Sequence, residues 1–191
     1  AINRAQYGRF ANDSRLGAAS FRLTRKAAHT ARACYSFCMC PGGQVIACAS
    51  EQGHLTTNGM SYSARSLGMG NAGFLVPVKT GDFPDVPVPA LAGIEFQRQI
   101  ETAAFAAGGS SYALPACRLP DFLENTASDL PSSLSCSMAV PAALAPILPS
   151  PVVDTLHFAL PRMLRELESV MLDDAVVYAA ETRSSSSRML K

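Results

Sequence analysis

The pattern of apolar and polar positions divides the chain near residue 94. Before it, apolar residues come in short β-branched or aromatic runs broken by turn formers. After it, they recur at helical spacing. Residues 31–50 (ARACYSFCMCPGGQVIACAS) hold two such runs around Pro41-Gly42-Gly43, which predicts a hairpin with a longer turn. Asn58-Gly59, inside LTTNGMS at 55–61, predicts a turn because both residues tolerate positive φ. Residues 74–79 (FLVPVK) predict a further strand, at a sheet edge because Pro77 has no N–H for a ladder bond.

From Ile94 the period changes. Phe96, Ile100, Ala103 and Ala107 share one side of a helix, with Glu95, Arg98, Gln99 and Thr102 on the other, and Gly108-Gly109 supplies the left-handed stop. Prolines 131, 141, 146, 149 and 151 forbid a long uninterrupted helix over 130–151. Leu160, Met163, Leu164, Leu167 and Met171 form the next stripe, opposite Arg162, Arg165, Glu166 and Ser169, with Pro161 placed in the first turn. A last strand is predicted over 175–179, running into Glu181-Thr182-Arg183 and four serines. No repeat emerges. The fold class is α+β: a small mixed or antiparallel sheet with a few helices packed on one side.

Composition sharpens this picture. The 191 residues are 48% hydrophobic and only 16% charged. That excludes a disordered chain, and the charged share is low against the roughly 25% usual for a soluble domain. The shortage predicts that one face packs against something outside the chain. The sequence starts at Ala1 rather than Met, in keeping with an excised piece. Net charge is +1, with no global pull towards nucleic acid or an anionic membrane, so neither is an expected partner. The charge is uneven: residues 1–32 carry seven bases against Asp13 alone, and the remainder nine bases and fourteen acids. A basic, acid-poor N-terminus matches the composition of an organellar transit peptide. Against that stand Tyr7, Phe10, Phe21 and Leu23 as core contributors. No apolar run reaches the ~18 residues of a membrane helix, and no export signal is present. The expected location is cytoplasmic or plastid.

Three patterns of candidate chemistry fail on context. Gly68-Met69-Gly70-Asn71-Ala72-Gly73 matches the dinucleotide spelling G-x-G-x-x-G. That chemistry needs a strand before it and a helix after it, whereas SYSARS precedes and FLVPVK follows, so a flexible loop is expected. Among the six cysteines only Cys34 and Cys38 have zinc-ligand spacing. On a regular strand Cys34, Cys38 and Cys40 would share one face, which suits a core as well as a metal. No metal site is assigned, and without an export signal a disulfide framework is not expected. His29, His54 and His157 lie far apart, and no local signature makes a nucleophilic pair of any of them with a cysteine.

Four strings are more informative as a set: YSFCMCPGG at 35–43, TNGMS at 57–61, LAGIEFQR at 91–98 and ETRSSS at 181–186, together with LGAAS and FRLT over 16–24. In this order they resemble the uncharacterised FAD-dependent dehydrogenases of bacteria and plastid-bearing eukaryotes, among the NAD(P)/FAD-dependent oxidoreductases. The likeness covers almost the whole chain. Ser187, where a proline is common, departs from the pattern. In that family the nucleotide-binding domain is split around this segment. The resemblance therefore implies an inserted, substrate-side domain, 1–191, that closes over the flavin of an FAD-binding domain in the same parent chain, on a small-molecule substrate not defined by the sequence. It implies that Cys38, Cys40, Gly42 and Gly43, with Asn58, Gly59, Met60 and Ser61, line the flavin. Arg65 and Arg183 become candidates for an anionic substrate or phosphate, because a guanidinium forks onto such groups. FAD is expected in the intact parent and not on the fragment alone. The alternative is a non-catalytic interaction module with an apolar docking face.

Overall fold

The structure, a computed structural model, describes residues 8–10, 13–15, 23–40, 42–126, 128–166 and 174–182. It is α+β, with small sheets and few helices. Strands β1 (Thr24–Ala27), β2 (Arg32–Cys40) and β5 (Asn71–Leu75) form an antiparallel sheet in the order β1-β2-β5. Strands β3 (Gly43–Cys48) and β4 (Thr56–Ser61) form an antiparallel pair. Strands β6 (Leu114–Arg118), β7 (Ala139–Pro141) and β8 (Val176–Tyr178) form a mixed sheet in the order β7-β6-β8.

The two apolar runs of 31–50 are strands, but they do not pair with each other. β2 joins β1 and β5 while β3 crosses to β4, so the glycine turn between them is a change of sheet rather than a hairpin loop. Asn58 and Gly59 lie inside β4, opposite Ile46 and Val45, correcting the predicted turn. Cross-strand pairing outweighs their turn preference there. The expected loop at 68–73 is likewise replaced over Asn71–Gly73 by β5.

Helix α1 (Ala92–Ala107) follows its periodicity: Phe96 and Ala104 are buried, and Arg98, Gln99 and Thr102 are exposed. Gly109, at φ 73°, ends it in the left-handed region. Helix α2 (Leu119–Glu124) is short. Helix α3 (Ser150–Leu164) begins ten residues earlier than the Leu160 stripe implied, with Pro151 in its first turn and Pro161 near its end. Pro161 thus stands in the last turn and not the first, where its missing N–H costs the helix one i→i−4 hydrogen bond. Leu167 and Met171 lie outside the described residues, as do Tyr7 and Phe21. Leu23 is buried, but Phe10 is exposed and contributes nothing to the core.

Helix α3 packs across β1 and β2, and α1 packs on β6. Cys34, Leu55, Ala104, Leu114, Leu144, Leu160 and Met163 fill the space between. The inward residues of β2 are Arg32 and Cys34, and the outward ones include Tyr35 and Phe37, the alternation that a pleated strand imposes. Arg32 keeps its buried charge by donating to Asp82 Oδ1 at 2.6 Å and to the Pro77 carbonyl at 2.6 Å. Among the described residues no helix is long and apolar enough to cross a membrane.

Candidate functional site

The alternation of β2 breaks between Phe37 and Cys40. Phe37 faces Gly73 and Cys40 faces Asn71, so Cys38 and Met39 together oppose the single residue Ala72. This is a β-bulge, and Cys38 takes a left-handed φ of 42° within it. The bulge turns Cys38 away from Cys34. Cys34 is fully buried, Cys38 is exposed and Cys40 is half-buried, which removes the shared face expected of the three. Burial drives the Cys34 thiol up to about 12 and the Cys117 thiol to about 11, and such thiols are inert. No cluster of three or more metal-ligating side chains occurs among the described residues.

After the bulge the chain turns through Gly42, at φ 58°. A Cβ there would sit 2.1 Å from the Arg65 carbonyl oxygen, and one on Gly43 would sit 2.2 Å from that of Met60. Glycine at these positions is needed first for the chain's own packing, on the side where a Cβ would point. Gly59 is constrained in the same way by the Asn71 side-chain oxygen, 2.1 Å from its Cβ position. Asn71 thus lays its amide against the face of the β3–β4 pair, over Gly43 and Gly59, with its buried Nδ2 lacking a hydrogen-bond partner.

These contacts bring Cys38, Cys40, Gly42, Gly43, Asn58, Gly59, Met60, Ser61 and Arg65 into one neighbourhood where β2, β4 and β5 meet. Arg65 is exposed, at φ 47° in a turn where its N–H donates to the Tyr62 carbonyl at 3.0 Å. Arg183 lies outside the described residues. Around this neighbourhood Tyr35, Phe37, Met60, Tyr62 and Leu75 are exposed, the phenol-bearing Tyr62 most of all at 60%.

One further group enters the site that the sequence reading named only as part of a string. The C-terminal strip 179–182 lies along the start of β4, where the Thr57 N–H and the Thr56 hydroxyl donate to the Ala180 carbonyl at 3.0 and 2.8 Å. Thr182 donates its hydroxyl to Glu101 at 2.5 Å, and Gln97 donates to the Thr182 carbonyl at 3.2 Å. With its neighbours so fixed, Glu181 places a carboxylate oxygen 3.3 Å from the Cβ position of Gly73, beside Phe37. Burial pushes the Glu181 carboxyl above the usual carboxylate range. Cys38 is raised by partial burial first, and then by the negative charges of Cys40 and Glu181. The arrangement therefore sets two accessible thiols and a half-buried carboxyl beside an exposed aromatic and aliphatic surface. A cavity of about 230 Å3 between α2 and the end of α3, lined by Leu119, Pro120, Leu123 and Glu124 and by Pro161, Leu164 and Arg165, contains none of these residues.

Residues 1–184 match the family model described as FAD-dependent protein, C-terminal domain-like. The chain is also similar to a protein of Clostridium beijerinckii described as uncharacterized. The two are 38% identical over 187 residues, covering 96% of this chain and 35% of that protein. The chain thus spans about a third of the length of its relative.

Proposed function

Because the chain belongs to the FAD-dependent protein, C-terminal domain-like family, we propose that it forms the substrate-side cover of a flavin site in an oxidoreductase. FAD is held by an FAD-binding domain of the same parent chain, and the substrate is a small molecule. The supporting observation is the meeting of the Cys38–Cys40 bulge, the Gly42-Gly43 turn, β4 and Arg65 beneath exposed Phe37, Met60 and Tyr62.

The residues present suit a flavin ring better than a dinucleotide phosphate. Residues 68–73 lead into β5 and not into a helix N-terminus, so they offer no helix dipole to a pyrophosphate. An exposed aromatic and thioether surface suits an apolar ring face. When bound, FAD supplies the electron transfer, while the chain supplies orientation and exclusion of water. In this role Phe37, Met60 and Tyr62 close the site to solvent. Arg65 pairs with an anionic substrate or phosphate, together with Arg183 of the adjoining segment. Glu181 sets a half-buried carboxyl beside the thiols.

The test compares FAD affinity and the visible flavin band in the full-length protein and in its Phe37→Asp and Met60→Asp variants, with Val88→Asp, exposed and outside the candidate site, as a control. Weakening of about tenfold, or 1.4 kcal/mol, by the first two alone is the expected result. Unchanged affinity and spectrum in both would remove the cover from the flavin. A parent protein with no flavin absorbance would favour a non-catalytic interaction module.

A further inference from the structure

We propose that Cys38 and Cys40 are a reversible dithiol–disulfide pair, and that the substrate class served by the site is a thiol or disulfide. The pair rests on geometry in this chain, and the electron exchange with flavin rests on the cover reading above.

Among the described cysteines the division is sharp. Cys34, Cys48, Cys117 and Cys136 are buried, while Cys38 and Cys40 reach solvent one residue apart. On a regular strand, residues two apart have Cα atoms separated by close to 7 Å, at or beyond the upper limit for a disulfide of about 6.8 Å. The bulge contracts that span, because three steps along β2 from Phe37 to Cys40 match only two along β5. The Cys40 sulfur already folds back to 3.5 Å from the Cys38 carbonyl oxygen. A left-handed backbone at a non-glycine residue such as Cys38 is strained, and strain of this kind concentrates at functional positions. Here it is spent on bringing two accessible thiols onto one short loop.

The chemistry balances with a small disulfide as oxidant. A Cys40 thiolate attacks one sulfur of the disulfide, forming a mixed disulfide and releasing one thiolate. Cys38, as its thiolate, then attacks the Cys40 sulfur, the Cys38–Cys40 bond forms and the second thiolate leaves. The proton that Cys38 gives up passes to solvent, which reaches its exposed thiol. Run in reverse, the pair is reduced by two electrons and two protons. Oxidised flavin as acceptor would take the same two electrons, becoming dihydroflavin as the dithiol closes to the disulfide.

The full-length protein, equilibrated in glutathione buffers of stepped ratio, acid-quenched, alkylated and mass-mapped, tests the pair without any turnover measurement. The expected result is an intramolecular Cys38–Cys40 disulfide whose fraction rises from below a tenth to above nine tenths over about a hundredfold change in the redox ratio. Cys38→Ser and Cys40→Ser are both exposed or half-exposed changes, and each should trap a glutathione adduct on the remaining cysteine. Full alkylation of both thiols at every ratio, or mixed disulfides alone in the wild type, overturns the pair. An anaerobic second arm follows bleaching of the flavin band by the reduced pair, absent in Cys40→Ser. A reversible disulfide that never exchanges electrons with bound flavin overturns the assigned substrate class. A parent that holds no flavin fails the cover reading, which the glutathione arm does not depend on.

Discussion

A thiol reacts as its thiolate, and partial burial, Cys40 and Glu181 all hold the Cys38 thiol protonated. Its alkylation rate should therefore keep rising with pH beyond the ordinary thiol range of about 8.5. Glu181→Gln removes one negative neighbour and should move the profile to lower pH, read from pseudo-first-order alkylation between pH 7 and 10. An unmoved profile would separate Glu181 from the thiol. Glu181 also leaves a trace in stability. Its raised carboxyl binds a proton more tightly in the folded chain than in the unfolded one, where the value is about 4.3. Stability from this group falls as pH rises from there through the folded value. Glu181→Gln should shift the urea midpoint upward at pH 7 and not at pH 4. Asp82 has the opposite sign: the Arg32 hydrogen bond lowers its carboxyl, so its contribution is lost as pH falls through the depressed value. Asp82→Asn leaves the buried Arg32 charge short of its partner and should cost about 1–3 kcal/mol by urea denaturation at pH 7.

At the scale of elements, Gly59 joins β4 to β5 through Asn71. A Cβ at Gly59 meets the Asn71 oxygen at 2.1 Å, so Gly59→Ala should destabilise the chain by about 1–3 kcal/mol. The double change Gly59→Ala, Asn71→Ala should recover part of that loss, and a simple sum of the two single effects would refute the contact. The same contact explains what the sequence alone could and could not yield. Helix α1 was legible because burial and period coincide from Phe96 to Ala107 and two glycines stop it. Asn58-Gly59 was not, because the partner that holds it extended, Val45-Ile46, is known only once β3 and β4 are paired. Nor could local pattern show that β2 and β3 belong to different sheets. Pro161 favours the first turn of a helix by local chemistry, and its place near the end was set by the apolar face of Val153, Leu156, Ala159 and Leu160 packing on the sheet. The candidate site residues stood in the sequence only as separate strings. What brought Cys38, Gly59 and Arg65 together was the bulge and the side-chain contact, and neither has a sequence period.

For the whole molecule, the low charged share and the exposed apolar residues point the same way. Tyr35, Phe37 and Leu75 occupy the outward face of the β1-β2-β5 sheet, while Met60 and Tyr62 stand at the end of β4. Left in water, such surface costs about 25 cal/mol for each Å2, and a contiguous patch of more than a few hundred Å2 is uncommon on a monomer. If this surface is covered by the flavin and its binding domain in the parent, two behaviours follow for the 191-residue chain alone. It should show no stoichiometric micromolar binding of FAD by calorimetry, because that reading puts the pyrophosphate site in the other domain. It should also associate with rising concentration in analytical ultracentrifugation and bind a dye specific for exposed apolar surface. Phe37→Lys with Met60→Lys should reduce both association and dye binding, since each charge is costly to bury in a self-contact. A strictly monomeric chain that binds no dye would mean that the outward face is satisfied by the chain itself, and the need for a covering domain would fall away.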